Sequence, residues 1–504
     1  MPEHRLARPL PLSAATLGDL DGRVAVPEYD RAGLQVGIVH FGAGAFHRSH
    51  QAMYLDRLMT AGQARDWAVC AVDVLDTDRP KRAAFRSQNG LYTLLVKQPD
   101  GTIAPQVIGS LVEYLFAPEE PAVVLDRLAD PRTRIVSLTI TEGGYNIRQS
   151  TGEFDAANPA VRRDLAEGAV PGTVFGFIVA ALRRRRADGV PPFAVLSCDN
   201  VEGNGNVARS ALGAFADLAE PGLGDWLRDA VAFPNSMVDR ITPVTTAADV
   251  TRLAAEFGVA DALPVVCEPY VQWVLEDDFP AGRPSWQDSG VQLVTDVRPY
   301  ELMKLRLLNA GHLALAYPAA LAGYRFVDQA AADPAIAGFL LDYLQREARP
   351  TVPDVPGIDL DDYVAQLLAR FANPAIGDTI ARLCAGASDK LPKWVLPAVR
   401  QNLGAGRSVA LAATLIASWA RYAEGVDEAG RPIEVVDALR AEISGLARRQ
   451  RSDPLSFLAN ERIFGDLARQ PAFAEPYVRA LDSFRHLGAR QTLAQVIRQR
   501  GVGS

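Results

Sequence analysis

The chain has 504 residues, more than one hydrophobic core usually serves, so two domains are expected. With 48% hydrophobic and 22% charged residues, the composition is that of a globular protein able to bury sizeable cores. A formal net charge of −8 argues against nucleic acid or an anionic membrane as the main partner.

The N-terminal stretch MPEHRLARPLPLSAATL has no long apolar core after its basic residues, so no signal peptide is read there. No apolar run reaches membrane-spanning length. Cys70, Cys198, Cys267 and Cys384 are far apart and form no CxxC pair. The first three lie in apolar runs, which predicts buried free thiols in a reducing compartment and a cytoplasmic protein.

The first part of the chain alternates short apolar runs with helical patterns, the signature of a mostly parallel α/β sheet. Strands are expected at Val36–Phe41, Ala68–Val74, Arg134–Thr139, Ala194–Cys198 and Val265–Cys267. Helices are expected at Val174–Arg186 and Gly205–Ala219. The cluster Arg183, Arg184, Arg185 and Arg186 reads as a favourable helix C-terminus rather than a binding patch. After about Pro299 strand signals nearly vanish. Tyr300–Ala322 reads as one long, mostly buried helix. Helices should follow at Pro334–Arg346, Leu360–Phe371, Ile376–Leu383, Ser408–Gly425, Val435–Arg449 and Pro471–His486. The expected organisation is an α/β domain over residues 1–290 and a mostly α-helical domain over 291–504.

Two segments carry chemistry. In VGIVHFGAGAFHRSHQ the strand runs straight into Gly42-Ala43-Gly44 and then a helix. Glycines there let the backbone turn tightly and approach a pyrophosphate, with Ala45 and Phe46 opening the helix. The third glycine of the dinucleotide fingerprint is missing. His47, Arg48 and His50 crowd the helix start and suit either phosphate contact or packing. After the second strand, Asp73, Asp76 and Asp78 are candidates to hold the adenosine ribose, which would favour NAD over NADP. Arg79 lies next to them.

The second segment is KLRLLNAGHLALAYPAAL. Lys304, Asn309 and His312 are polar residues in an apolar helix. At 100° per residue Asn309 lies about 140°, and His312 about 80°, from Lys304, so the three share one half of the helix. Oxidising an alcohol needs a base for the hydroxyl proton, and a desolvated lysine can be that base. An amide and an imidazole beside it can donate to the developing alkoxide, the role zinc plays in other dehydrogenases. No Cys/His cluster here could hold such a zinc.

These segments, with SLTITEGGY, SCDN, FPNSMVDRITP, VVCEPYVQWVLEDDFPAGRP, VPGIDL and GASDKLPKW, resemble the polyol-specific long-chain dehydrogenases over nearly the whole chain. The resemblance implies a Rossmann-type N-terminal domain, a helical substrate domain and a catalytic cleft between them. It implies NAD as cofactor, no metal, and a polyol/ketose substrate pair such as mannitol and fructose, or arabinitol or sorbitol and its ketose. By the same resemblance Lys304 is the general base, Asn200 and Asn309 stabilise the oxyanion, and His312 orients the reactive hydroxyl. Asp239, Arg382 and Lys390 grip the other hydroxyls. Glu301 relays protons to solvent, and Asp78 selects NAD. Where the family often has a second acidic residue this chain has Thr77, which leaves NADP use open. The resemblance leans towards a monomer, although the C-terminal helices could support a weak homo-oligomer.

Three rival readings remain on sequence grounds. Tyr300-x-x-x-Lys304 matches the catalytic pair of short-chain dehydrogenases, in a chain much too long for that class. A hexuronate reductase acting on fructuronate or tagaturonate would use Arg382 or Lys390 for the substrate carboxylate. A non-catalytic nucleotide-binding regulator would share the fold but have no use for a positioned base.

Overall fold

The computed structural model describes residues 8–148 and 152–501. The first seven residues of the N-terminal stretch read above as lacking a signal peptide lie outside them. The chain forms two compact units, the first reaching Val297 and the second starting at Arg298, with residues 99–101 grouped with the second.

The first unit is built on five parallel strands: β1 (Val36–Phe41), β2 (Ala68–Asp73), β3 (Leu111–Phe116), β4 (Ile135–Leu138) and β5 (Ala194–Ser197). Their order in the sheet is β3-β2-β1-β4-β5, and every neighbouring pair is parallel. This is the Rossmann order, in which the chain winds outward in both directions from β1. The strands are apolar throughout because both faces are covered. Val39 and Phe41 of β1, Cys70 and Val72 of β2, and Val136 and Leu138 of β4 point into one core. There they meet helices Val174–Ala187 and Asn204–Ala219. The alternate residues Ile38, Val69, Ala71 and Ile135 point into the other core, against helix Gln51–Thr60 and the indoles of Trp273 and Trp286.

One of the strand expectations needs correction. Val265–Cys267 is a strand but lies outside the parallel sheet. It pairs with Tyr92–Lys97, which in turn pairs antiparallel with Ile103–Ile108. β3 and these last two strands carry Thr93, Pro105, Gln106 and Glu113, which interrupt the apolar pattern and hide them in the sequence. A third small sheet joins Ser236–Asp239, Gln272–Glu276 and Gln292–Val294. The four-arginine run does end a helix. Buried Arg185 donates to the carbonyls of Leu128, Thr133 and Pro191, and Arg184 pairs with Asp126 at 2.6 Å.

The second unit is helical. The expected single helix from Tyr300 is three pieces: Arg298–Met303 (α), Lys304–Asn309 (π) and Ala310–Leu321 (α). Ala310–Leu321 is buried on almost every side by Pro334–Tyr343, Ile380–Cys384, Ala410–Tyr422 and Pro471–Gly501, which explains its uniformly apolar sequence. The helix expected at Ile376 starts instead at Ile380, because Gly377 takes φ +63° and the Thr379 side chain caps the first turn at the Arg382 N–H. The helix expected from Val435 starts at Arg440, because Asp437 is bonded to Ser388 and to the Leu439 N–H in a loop. Helices Ala387–Trp394 and Leu396–Gly404 are additional; Pro392 argues against the first locally, while Pro397 falls in the first turn of the second, where proline is tolerated. The last helix runs past His486 to Gly501, with a break at Gly488, φ +76°. All four cysteines are free and buried. Among the described residues no helix is long and apolar enough to cross a membrane.

Candidate active site

The glycine turn is over-determined by its neighbours. Gly42 leaves β1 at φ +93°, and a Cβ there would lie 2.2 Å from the Thr139 carbonyl oxygen. Only glycine fits. Gly44 is different: a Cβ there would meet nothing nearer than 3.8 Å, so its face is open. Ala45 and Phe46 begin helix Ala45–Ser49.

The aspartates of the second strand divide their work. Asp73, the last residue of β2, accepts the Ala43 N–H at 3.0 Å and the Tyr114 hydroxyl at 3.0 Å, so it braces the glycine turn. Burial pushes its carboxyl up, against the pull of Lys81. Asp76 pairs with Arg79 at 3.1 Å and Asp78 with Lys81 at 2.7 Å. Arg79 and Arg82 both also contact Glu119. Every cation in this patch therefore faces a carboxylate.

His47 and Arg48 turn inward. His47 is buried and stacks on His40, ring centroids 3.4 Å apart. His40 in turn contacts the Gly42 carbonyl at 3.0 Å and the Ser137 and Thr139 hydroxyls. Burial pushes His40 down to about 3 and His47 well below the ordinary imidazole value, which disfavours the charged ring in both. The Arg48 guanidinium donates to the Leu263 carbonyl and lies over the Tyr92 ring at 5.2 Å. His50 contacts the Gln272 carbonyl at 2.9 Å.

Asn200 lies in the turn after β5. Its neighbour Asp199, which composition and spacing did not single out, accepts the Ile140 and Thr141 N–H groups and the Tyr145 hydroxyl. It ties the loop after β4 to the loop carrying Asn200. Burial pushes the Asp199 carboxyl up, opposed by these hydrogen bonds. Thr141 takes φ +61°, a conformation a β-branched residue adopts only under constraint. Asp239 ends its strand and is buried. Arg240 beside it donates to the carbonyls of Glu268 and Ser49.

In the second unit Lys304, Asn309 and His312 are 8%, 5% and 9% exposed, and Glu301 is 6% exposed. The π segment changes the geometry expected of an α-helix. Its i→i+5 bonds give about 4.4 residues per turn, which brings Lys304, Asn309 and His312 within about 60° of one another rather than spreading them over 140°. The Asn309 side-chain nitrogen is buried and makes no hydrogen bond. The His312 ring stacks on Phe371 with centroids 4.3 Å apart. Tyr300 donates its hydroxyl to the Pro356 carbonyl at 2.7 Å, which occupies the group a short-chain dehydrogenase would use as base. Arg382 is held bidentately by the buried Asp378, which keeps its guanidinium protonated. The Lys390 ammonium donates to the Leu383 carbonyl at 3.3 Å and lies over the Trp394 ring. Among the described residues no group of three or more His, Cys, Asp or Glu side chains is placed to hold a metal ion.

Residues 36–288 match the family model of the mannitol dehydrogenase Rossmann domain, and residues 296–485 match that of the mannitol dehydrogenase C-terminal domain. The chain belongs to the mannitol dehydrogenase family. Within it, mannitol 2-dehydrogenase of Cereibacter sphaeroides is 44% identical over 474 residues, 94% of this chain and 99% of the relative. Mannitol 2-dehydrogenase of Pseudomonas fluorescens, solved as a ternary complex with NAD and D-mannitol, is 44% identical with a TM-score of 0.88, covering 97% of this chain and all of that one. A D-sorbitol dehydrogenase solved in substrate-free form is 39% identical with a TM-score of 0.89, covering 96% of this chain and all of that one. The mannitol dehydrogenase fold is thus shared along essentially the whole length.

Proposed function

We propose that the protein is an NAD-dependent polyol dehydrogenase that oxidises a sugar alcohol such as mannitol to its 2-keto sugar, with Lys304 as general base. The observation that carries this reading is the buried polar face of Lys304, Asn309 and His312 in an otherwise apolar helix. Polar groups buried in such a setting need a partner or a task. Membership of the mannitol dehydrogenase family supports it.

The first unit fits a dinucleotide. The open face at Gly44, the following Ala45 and Phe46, and the start of the helix that carries His47 and Arg48 suit a pyrophosphate. Asp78 would accept from the adenosine ribose hydroxyls. Bound NAD supplies the hydride acceptor. Lys304, in its neutral form, would take the hydroxyl proton at Nζ. The Asn309 amide, buried with its N–H groups unspent, would donate to the oxygen as charge develops, together with Asn200. His312, fixed against Phe371, would orient the reacting hydroxyl. Glu301, three residues before Lys304, would pass the proton towards solvent. Asp239, Arg382 and Lys390 would bind the remaining hydroxyls.

Sorbitol is the second substrate to consider, because the D-sorbitol dehydrogenase is as similar in fold as the mannitol enzyme. The hexuronate reading loses support because two Arg382 donors are already committed to Asp378. The cytoplasm suits four buried free thiols. We take the protein to be a monomer or a weak homo-oligomer.

Initial rates at the nicotinamide absorbance band test the proposal. NAD and NADP are paired with mannitol, arabinitol and sorbitol at alkaline pH, and NADH with fructose and fructuronate near neutrality. NAD-linked polyol oxidation is the expected result. Activity confined to fructuronate would overturn it in favour of the uronate branch.

A further inference from the structure

The π segment that carries Lys304 and Asn309 has a counterpart in the same unit. A second π segment, Leu344–Ala348, continues helix Pro334–Tyr343 and runs into a 3₁₀ turn, Arg349–Thr351. The first π segment packs against both the second and this turn. A π turn is rare and is found mostly at functional sites, where the surrounding structure holds it.

Arg306 supplies such a hold from inside the first π segment. Its guanidinium donates to the Thr351 carbonyl and to Oε1 of Gln401, the latter at 2.9 Å. At about 4.4 residues per turn Arg306 lies roughly 160° from Lys304 and about 110° from Asn309, so it leaves the helix away from the polar face. The elements it grips are themselves fixed. Thr351 is buried and its hydroxyl donates to the Ala348 carbonyl at 2.6 Å. Glu347, buried in the second π segment, accepts the Leu411 and Ala412 N–H groups at 2.8 Å each, at the start of helix Ala410–Tyr422. That helix packs on Ala310–Leu321. Asn402, next to Gln401 on helix Leu396–Gly404, donates to the Glu347 carbonyl at 2.8 Å. Buried Tyr343 reports both charges: burial and Glu347 push its hydroxyl up, and Arg306 draws it down. A planar guanidinium with donors in a fixed fork suits a span between a backbone carbonyl and a side-chain amide better than an ammonium does.

We propose that Arg306 is a positioning residue for the reaction: by tying the first π segment to Thr351 and Gln401, it holds Asn309 on the same face as Lys304. The inference rests on the reading of Lys304 as base and Asn309 as oxyanion donor. Without the guanidinium the segment is free to relax towards the α register, in which Asn309 lies about 140° from Lys304 instead of within about 60°. A displacement of about 1 Å at a reacting group is enough to cost about 10²-fold in rate.

The test is a double-mutant cycle in the full-length protein. It reads kcat and KM for NAD-linked mannitol oxidation, with NADH binding by fluorescence and folding by circular dichroism alongside. Arg306→Met keeps most of the stem and removes the donors. It should lower kcat about 10- to 100-fold, with KM changed far less and NADH affinity nearly unchanged. Arg306→Lys should fall between Arg306→Met and the unmodified protein. In an Asn309→Ala background the same Arg306→Met change should cost no more than about threefold, because the group it positions is gone. A merely structural role would lower the folded fraction and leave the two losses multiplicative. Multiplicative losses, or an Arg306→Met variant at the unmodified rate, would overturn the inference. Where Arg306→Met fails to fold, Arg306→Lys runs the same cycle with the same deciding outcomes. Full activity in Asn309→Ala would overturn the role of Asn309 and this inference with it, whereas an unmodified protein that oxidises no polyol would overturn the proposed function itself.

Discussion

At the scale of single residues, chemistry and support are separate tasks, and the structure divides them between neighbours. Asp73 and Asp78 are five positions apart, yet the first braces the Ala43 N–H while the second faces Lys81. Composition and spacing alone leave Asp73, Asp76 and Asp78 equivalent, and only the family resemblance singles out Asp78, because nothing local says which carboxylate turns under the sheet. The cofactor patch yields a prediction. Glu119 engages Arg79 and Arg82, so removing its charge frees cations for a 2′-phosphate. The double variant Asp78→Ala/Glu119→Gln should raise kcat/KM with NADP about tenfold, some 1.4 kcal/mol, while lowering that with NAD. Unchanged discrimination in parallel progress curves would remove both residues from cofactor selection. For the chemical step, Lys304→Ala should cut polyol oxidation about 10²- to 10⁴-fold while NADH still binds by fluorescence titration. Tyr300→Phe, which loses only a bond to the Pro356 carbonyl, should leave turnover nearly intact.

At the scale of elements, the informative departure is the π segment. An apolar run interrupted by Lys304, Arg306, Asn309 and His312 is visible in KLRLLNAGHLALAYPAAL, and so is its helical character. The widened turn from Lys304 to Asn309 is not visible, since the backbone register there answers to the helices packed around it. The same reason explains the late starts at Ile380 and Arg440. At Ile380 the Thr379 side chain caps the first turn and so fixes where the helix begins, and before Arg440 the Asp437 side chain holds the chain in a loop through Ser388 and the Leu439 N–H. Helix Ala247–Phe257 shows the opposite case, a capping box legible as Thr246-x-x-Asp249. Burial acts to raise the Asp249 carboxyl, but Lys97 at 2.6 Å and the Thr246 groups outweigh it and hold it below the ordinary value of 3.8. A carboxyl lowered by folding stabilises the fold above its unfolded value, and that contribution is lost as pH falls through the folded one. Asp249→Asn should therefore lower the melting temperature at neutral pH by a few degrees, for about 1 kcal/mol. The gap to the unmodified protein should close in acid. A constant gap across a pH series of thermal melts would assign the effect to packing instead of charge.

At the scale of the whole molecule, binding and metal chemistry can be read separately. Saturating NAD should raise the melting temperature of the full chain, since a ligand at 100 times its Kd adds about 2.7 kcal/mol to the folded state. Polyol oxidation should be unaffected by prolonged dialysis against chelator; loss of activity restored by a divalent cation would demand a metal in the reaction. Legible in the chain before folding were the order of strands and helices along most of the first unit, the helical character of the second, the polar interruptions of the buried helix, and the family. These rest on periodicity, on glycines at a strand-to-helix turn, and on long motifs, all of which are local in the chain. Folding in three dimensions was needed to show that Val265–Cys267 leaves the parallel sheet, that Asp73 and Asp199 brace the loops, that Lys304, Asn309 and His312 share a narrow face, and that His47 turns inward onto His40. Most of these depend on partners tens or hundreds of residues away, and strand pairing, packing and burial of a polar atom have no energy until those partners meet.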